Sequence, residues 1–156
     1  MSAWLDFIDE AFDRRAWHGA SLRGSIRGLS AAQAAWRPAP GRRSIAEIVL
    51  HAAYWKYVIR RRLRSEPRGS FPLRGSNWFA LPEPFDAAAW REAIRLLGEQ
   101  HAALRTAVAE LPPRVLNAPH QRGSISPAWL VRGIAFHDIY HAGQIQTLKA
   151  MQRARR

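Results

Sequence analysis

Two histidines, His137 and His141, lie four residues apart in a segment whose apolar residues recur with helical periodicity. At that spacing two imidazoles lie one turn apart on the same face of a helix, where they can bind one divalent ion. A zinc-protease motif needs a glutamate directly after its first histidine, whereas here that residue is Asp138, whose side chain is shorter. The pair therefore predicts a metal site but does not favour a metalloprotease.

A third histidine strengthens this hypothesis. His51 lies on the apolar face of another predicted helix, between Ile48 and Trp55. Three core-facing histidines on two helices would form a three-nitrogen set that leaves a coordination position open, which is typical of catalytic rather than structural zinc sites. The alternative is three ordinary core histidines that other groups satisfy, since an unpaired buried polar group costs about 1–3 kcal/mol.

Three more residues are candidates for roles around the site. His101 lies on another apolar stripe, and it is interpreted as a core residue, as a partner of the ligands or as a fourth ligand. Glu47, one turn before His51, either completes a helix cap or orients that histidine. Gln144 follows His141 by three residues and faces either the same cavity or solvent. No residue is assigned a catalytic role.

The elements that must position these residues are helices. Apolar residues recur at helical spacing in four segments, and no alternating pattern predicts a strand. We expect an all-α fold, a four-helix bundle with long loops, whose helices span about 2–27, 44–64, 86–111 and 126–152. Residues 65–85 are rich in proline and form one long crossover connection, so the second and third helices can run parallel.

The predicted helices also indicate whether the other histidines and the tryptophans lie in the core, on the surface or in a loop. His18 is expected in the core or on the surface, and His120 in a loop. Four tryptophans on or near the apolar stripes are expected in the core rather than as platforms for stacked bases: Trp4, Trp55, Trp90 and Trp129. Trp17 also belongs to the apolar stripe of the first predicted helix.

Composition excludes several classes of protein. The absence of cysteine excludes disulfides, thiolate metal ligands and a catalytic protein thiol. A length of 156 residues predicts one domain, residues 1–152, followed by a basic tail, residues 153–156. No apolar run is long enough to span a membrane, and the N-terminus lacks a signal-peptide pattern, so we expect a cytoplasmic protein without a membrane partner.

The chain is strongly basic, with 24 Lys and Arg against 12 Asp and Glu and a net charge of +12. One interpretation is binding to nucleic acid. The other is a compositional bias towards arginine, because the basic residues are spread along the whole chain. Two clusters stand out, residues 60–64 and 153–156, and both fall at predicted helix C-termini, where cations complement the helix dipole.

Three motifs, in order, resemble the DinB/YfiT-like superfamily of metalloenzymes, which is distinct from the DNA polymerase that shares its name. They are the loop Trp36-Arg37-Pro38-Ala39-Pro40-Gly41, the segment Ser44–His51 that follows it, and the segment His137–Ile145, which reads His-x-x-x-His-Ala-Gly-Gln-Ile. The resemblance implies a four-helix bundle with one long crossover. It also implies a divalent metal held by one histidine of the second helix and two of the fourth, which here are His51, His137 and His141.

The resemblance also implies a function. Members include thiol-dependent S-transferases and a mycothiol-dependent isomerase, and homodimers are common among them. We therefore expect a metal-dependent enzyme that activates a small-molecule thiol, or alternatively a water as in a hydrolase. Zinc or nickel is favoured, with iron, manganese and copper open. Arginines from residues 60–64 would attract an anionic cosubstrate to the mouth of the site. The remaining alternatives are a non-catalytic metal-binding bundle and a nucleic-acid-binding bundle.

Overall fold

The computed structural model describes residues 3–118 and 125–155, and this part of the chain forms seven helices and no strand. The all-α prediction is therefore confirmed. The four helices of ten or more residues are α1 (Ala3–Phe12), α4 (Ile45–Leu63), α5 (Ala87–Ala109) and α7 (Pro127–Arg153). The short ones are α2 (Leu22–Ser25), α3 (Ala31–Ala35) and α6 (Pro113–Leu116). His120 lies outside the described residues.

Three of the long helices begin at the residues that the sequence indicates. The Ser44 hydroxyl accepts a hydrogen bond from the Glu47 backbone, while the Glu47 carboxylate accepts one from the Ser44 backbone, so a complete capping box starts α4. The Asp86 carboxylate caps α5. The Ser126 hydroxyl caps α7, whose first residue is Pro127. Each cap satisfies backbone N–H groups that have no partner inside the helix and stabilises it by about 1 kcal/mol.

The first predicted helix, residues 2–27, is wrong beyond Phe12. Gly19 adopts a left-handed φ of 109°, which a continuous helix through residue 27 does not contain, and the Ser21 hydroxyl then starts the separate short helix α2. Two tryptophans on or near predicted apolar stripes are exposed. Trp17 lies in the interrupted segment and is fully exposed, and Trp129 is 48% exposed on the outer face of α7.

The long helices pack around two apolar clusters, one towards each end of the bundle. Residues near the starts of α4 and α5 share one cluster with the end of α7, and residues near the ends of α4 and α5 share the other with the start of α7. Helices α4 and α5 therefore run parallel, and α7 runs antiparallel to both. An ion pair between Arg64 and Glu110 joins the C-terminal ends of α4 and α5. Helix α1 runs parallel to α7, because Leu5 lies in the second cluster and Phe12 in the first.

The connection between the parallel helices, residues 64–86, crosses the length of the bundle and packs part of itself against α4. Phe79 is 2% exposed, and its ring lies 5.6 Å from that of Tyr54 on α4. The connection is therefore a fixed part of the bundle beside the histidines. None of the described helices is both long enough and apolar enough to cross a membrane.

Candidate metal centre

The three predicted ligand histidines come together where α4 packs against α7. The Nε2 atom of His137 lies 3.2 Å from Nε2 of His51 and 3.1 Å from Nε2 of His141. One ligand atom from each residue falls within a group no wider than 4.8 Å. Two nitrogens bound tetrahedrally to zinc at about 2.0–2.1 Å are about 3.4 Å apart. The three side chains could therefore hold one divalent ion with only small movements.

Hydrogen bonds at the far side of two rings determine which nitrogen carries the proton. His51 Nδ1 lies 2.7 Å from the carbonyl oxygen of Asn77, and His141 Nδ1 lies 2.7 Å from Oε1 of Gln144. Both partners accept hydrogen bonds, so each Nδ1 donates and each neutral ring keeps a lone pair on Nε2. The Gln144 amide is itself oriented, because its Nε2 donates to the Tyr140 hydroxyl.

The resulting donor set fits a cation. Two Nε2 lone pairs point towards His137 Nε2, which has at most one hydrogen to give, so the three rings cannot satisfy one another by hydrogen bonds alone. A divalent ion accepts all three lone pairs at once. The residues present therefore match the chemistry of a three-histidine site, and Gln144 occupies the position expected of a residue that orients a ligand.

The histidines are neutral at physiological pH. Burial, and after it the nearby His141, His51 and Lys56, together lower the pKa of His137 to about 3. Burial likewise lowers the pKa of His141 to about 4, against the opposite effect of its bond to Gln144. The pKa of His51 is also lowered, first by burial. The neutral imidazole is the form that binds metals, so no proton must leave these rings before an ion binds.

Two residues of the long connection support the site, and sequence reasoning missed both. Asn77 supplies the carbonyl oxygen that accepts from His51, and the Trp78 ring stacks on the His51 imidazole at 3.9 Å and 10°. The only sequence signal is an aromatic pair, Trp78 and Phe79, within a segment rich in proline and glycine. These contacts fix the orientation of the His51 ring from both its edge and its face.

Glu47 does not orient His51 by a hydrogen bond within the described part of the chain. Its carboxylate, 3% exposed, accepts hydrogen bonds from Arg37, Arg43 and the Ser44 backbone. Burial alone raises the pKa of Glu47, but these bonds outweigh it and lower the pKa to about 2. The influence of Glu47 on the site is indirect, since it anchors Arg43, whose guanidinium lies 4.6 Å from the centre of the Trp78 ring.

Asp138, which directly follows His137, is buried at 1% exposure, as is Lys56, with which it forms an ion pair. The burial of Asp138 has a geometric reason. Helix α7 buries a second stripe that contains this residue: Val131, Ala135, Asp138, Ala142 and Ile145. Burial raises the pKa of the Asp138 carboxyl, against the opposing effect of the Lys56 ammonium. The pair links α4 to α7 at the residue that follows the proposed ligand His137.

His101 is not part of the histidine cluster. Its ring stacks on Phe12 at 3.7 Å, and its Nε2 lies 3.5 Å from the Asp9 carboxylate. Burial lowers the pKa of His101 to about 2, so this contact involves a neutral imidazole. It faces α1 because α5 packs against α1 on that side. Of the three interpretations of His101, the core residue matches this position, and the group of clustered histidines among the described residues does not include it. His18 is exposed.

A pocket of about 780 Å³ opens beside the three histidines. Its charged lining residues are Arg42 and Arg43, from the loop before α4, and not the arginines 60–64 expected from the sequence. Those arginines lie at the other end of α4, where Arg60 pairs with Glu66 and Arg64 pairs with Glu110. The expectation failed because the sequence did not show at which end of α4 the pocket opens.

Comparison with known proteins agrees with this geometry. No curated protein and no solved structure shows a significant match to the chain. A family profile described as the DinB superfamily matches residues 14–145, which include all three clustered histidines, the whole of α4 and the part of α7 up to Ile145. The match covers most of the chain, and it follows that this protein belongs to the DinB superfamily.

Proposed function

We propose that this protein is a metal-dependent enzyme that activates a small-molecule thiol for transfer. His51, His137 and His141 are the proposed ligands of one divalent ion, most suitably zinc or nickel. The observation that carries the proposal is the convergence of their Nε2 atoms on the wall of a pocket large enough for a small substrate. An exchangeable ligand can therefore approach from the pocket while the protein occupies the other side.

A bound divalent ion lowers the pKa of a thiol or water that it binds, and so supplies a nucleophile at neutral pH. Other residues of this chain orient the histidine rings for metal binding. Asn77 and Gln144 hold the protons of two histidines on the nitrogens that face away from the cluster. Trp78 packs against His51 and prevents its ring from turning. Since the chain has no cysteine, the thiol must come from a bound small molecule.

A thiol should bind directly at the proposed site in cobalt-substituted protein. We expect cysteine or another low-molecular-weight thiol to produce a new sulfur-to-cobalt charge-transfer band in the absorption spectrum, because a thiolate is a strong ligand for the ion. Serine, which differs from cysteine only in its hydroxyl, is the matched ligand that should produce no such band. The same titration on a His137→Ala/His141→Ala double variant should show no band either.

The outcome of this titration separates the alternatives. If cobalt binds but no thiol in a broad panel produces the band, thiol transfer is wrong, and activation of water or non-catalytic metal binding replaces it. If the parent chain binds no cobalt at all, the metal site itself is wrong. The proposed location is the cytoplasm, where small thiols are kept reduced.

We further propose that the protein is a homodimer whose subunits meet along α7. The outward face of this helix repeats at intervals of four and three residues: Trp129, Gly133, Phe136, Tyr140, Gly143, Thr147 and Met151. Three of them, Tyr140, Thr147 and Met151, also border the pocket, so the proposed interface adjoins it. The four large members are 48–62% exposed. A Cβ atom at either glycine would meet no atom of the described residues within 4 Å apart from the backbone of the helix itself, so packing within the described subunit does not require a glycine there. Such a face suits close contact with a second copy of the same helix.

A charge placed in this face should separate the subunits. We expect sedimentation velocity to show a dimer for the parent chain and a monomer for Phe136→Asp, because the carboxylate would be buried without a partner. Trp17→Asp is the matched control, since Trp17 is a fully exposed aromatic residue outside α7, and this variant should remain dimeric. A monomeric parent, or a dimeric Phe136→Asp variant, would show that α7 is not the interface.

A further inference from the structure

The charged side chains that line the pocket are all basic. Two arginines, Arg42 and Arg43, line it together with the three histidines, whereas no aspartate or glutamate is among its described lining residues. The lining residue Arg43 forms an ion pair with Glu47, but the single negative charge of Glu47 is shared with a second guanidinium group, that of Arg37. The pocket wall beside the loop therefore keeps a net positive charge.

The two arginines differ in what they are able to bind. Arg43 already has partners within the protein, because its guanidinium donates to Glu47 and lies over the Trp78 ring. The guanidinium of Arg42 has no hydrogen-bond or ion-pair partner among the described residues. Arg42 therefore has a full set of donors to offer to a ligand in the pocket.

The loop holds Arg42 in place before any ligand arrives. Residues 39–42 form a tight turn in which the Arg42 backbone N–H donates to the Ala39 carbonyl at 3.1 Å. Pro40 fixes the first central position, and Gly41 takes the left-handed φ of 73° that the second central position of a type II turn requires. Because the turn is rigid, little backbone entropy is lost when Arg42 binds a partner.

The rest of the pocket lining is largely apolar. Ile48, Leu148 and Met151 line it, and Trp78 forms an aromatic wall next to His51. A ligand that touches this surface and Arg42 together must combine an apolar part with a charged end. A single guanidinium matches a singly charged, planar carboxylate, which it can bind through two parallel hydrogen bonds.

We propose that the substrate accepted beside the metal centre is a small carboxylate with an apolar body, and that Arg42 binds its carboxylate. This inference rests on the proposed function, because it describes the molecule that meets the activated thiol or water. Arg42 is then a specificity-determining residue. It places the apolar body against Trp78 and Leu148 and leaves the remainder of the pocket beside the histidines for the second reactant.

Calorimetry with two probes of equal size tests the inference: 4-phenylbutyrate and its uncharged amide, 4-phenylbutyramide. Zinc-loaded parent protein should bind the carboxylate about fivefold more tightly than the amide, which is the factor given by a partly exposed ion pair. The Arg42→Gln variant should lose this preference. Arg62→Gln removes another exposed arginine, from the far end of α4, and should keep it.

Metal-free protein separates the inference from the proposed function. If Arg42 holds the carboxylate, the preference persists without zinc. A chain that binds no zinc yet prefers the carboxylate through Arg42 would refute the metal-dependent activity and leave the inference standing. The inference is overturned if Arg42→Gln keeps the preference, if the preference disappears when zinc is removed, or if the parent does not bind the carboxylate at about 10 mM.

Discussion

Replacing His51, His137 or His141 by alanine is expected to lower the zinc affinity of the protein by 100-fold or more in each case. Each change removes one of three nitrogen ligands, and even changes in residues that only orient a ligand cost about 10- to 100-fold. Gln144→Leu should therefore give a smaller loss, about tenfold, because it removes only the acceptor for His141 Nδ1. Competition with a chromogenic chelator measures these affinities.

Two other histidines serve as matched controls. His18 is exposed, and His101 is buried against Phe12 and Asp9, away from the three clustered histidines. The variants His18→Ala and His101→Ala should bind zinc as the parent does, and circular dichroism should show that all the variants remain helical. Unchanged zinc affinity in His51→Ala would show that α4 contributes no ligand, and the proposed centre would be wrong.

Breaking the buried ion pair should cause the largest loss of stability. Lys56 and Asp138 have side chains only 1% and 2% exposed. Lys56→Met leaves the carboxylate buried without its cation, and Asp138→Leu leaves the ammonium buried without its anion. Each single change should lower the free energy of unfolding by about 3–5 kcal/mol, as measured by urea denaturation.

The double variant separates the stability contribution of the ion pair from the contributions of its two side chains. Lys56→Met/Asp138→Leu replaces both charges by apolar groups of similar size, so we expect it to recover to within about 1 kcal/mol of the parent. The double-mutant cycle would then give a large coupling energy between the two residues. If the two single losses simply add in the double variant, the ion pair is not what holds α4 and α7 together at this point. Zinc affinity measured on the folded double variant reports whether the pair also sets the position of His137.

The sequence by itself determined the features that depend on neighbours along the chain. The starts of α4, α5 and α7 follow from Ser44, Asp86 and Ser126, because a cap needs only the next few backbone N–H groups. The shared face of His137 and His141 follows from helix geometry alone. The all-α class follows from the spacing of apolar residues, since it is repeated in every long segment.

Local signals also explain where the sequence-based prediction failed. The apolar stripe extended the first helix to residue 27, but the glycines before and after α2 adopt left-handed conformations that a helix does not contain. The short helix α3 begins with a capping box between Ser30 and Gln33, a signal that is present in the sequence. In both places glycine and capping residues decide the local conformation directly, whereas the apolar periodicity does not.

Only the tertiary structure decided what surrounds the histidines. Asn77 and Trp78 reach His51 from a connection whose path depends on how the whole bundle packs. The burial of Asp138 depends on α7 having neighbours on more than one side, and periodicity along one helix does not reveal the rotation of the others. The three histidines lie in two short segments of the sequence. The hydrogen-bond partner of His51 and the loop that supplies Arg42 to the pocket come from other parts of the chain. Such contacts are fixed by packing between elements, and no local interaction encodes them.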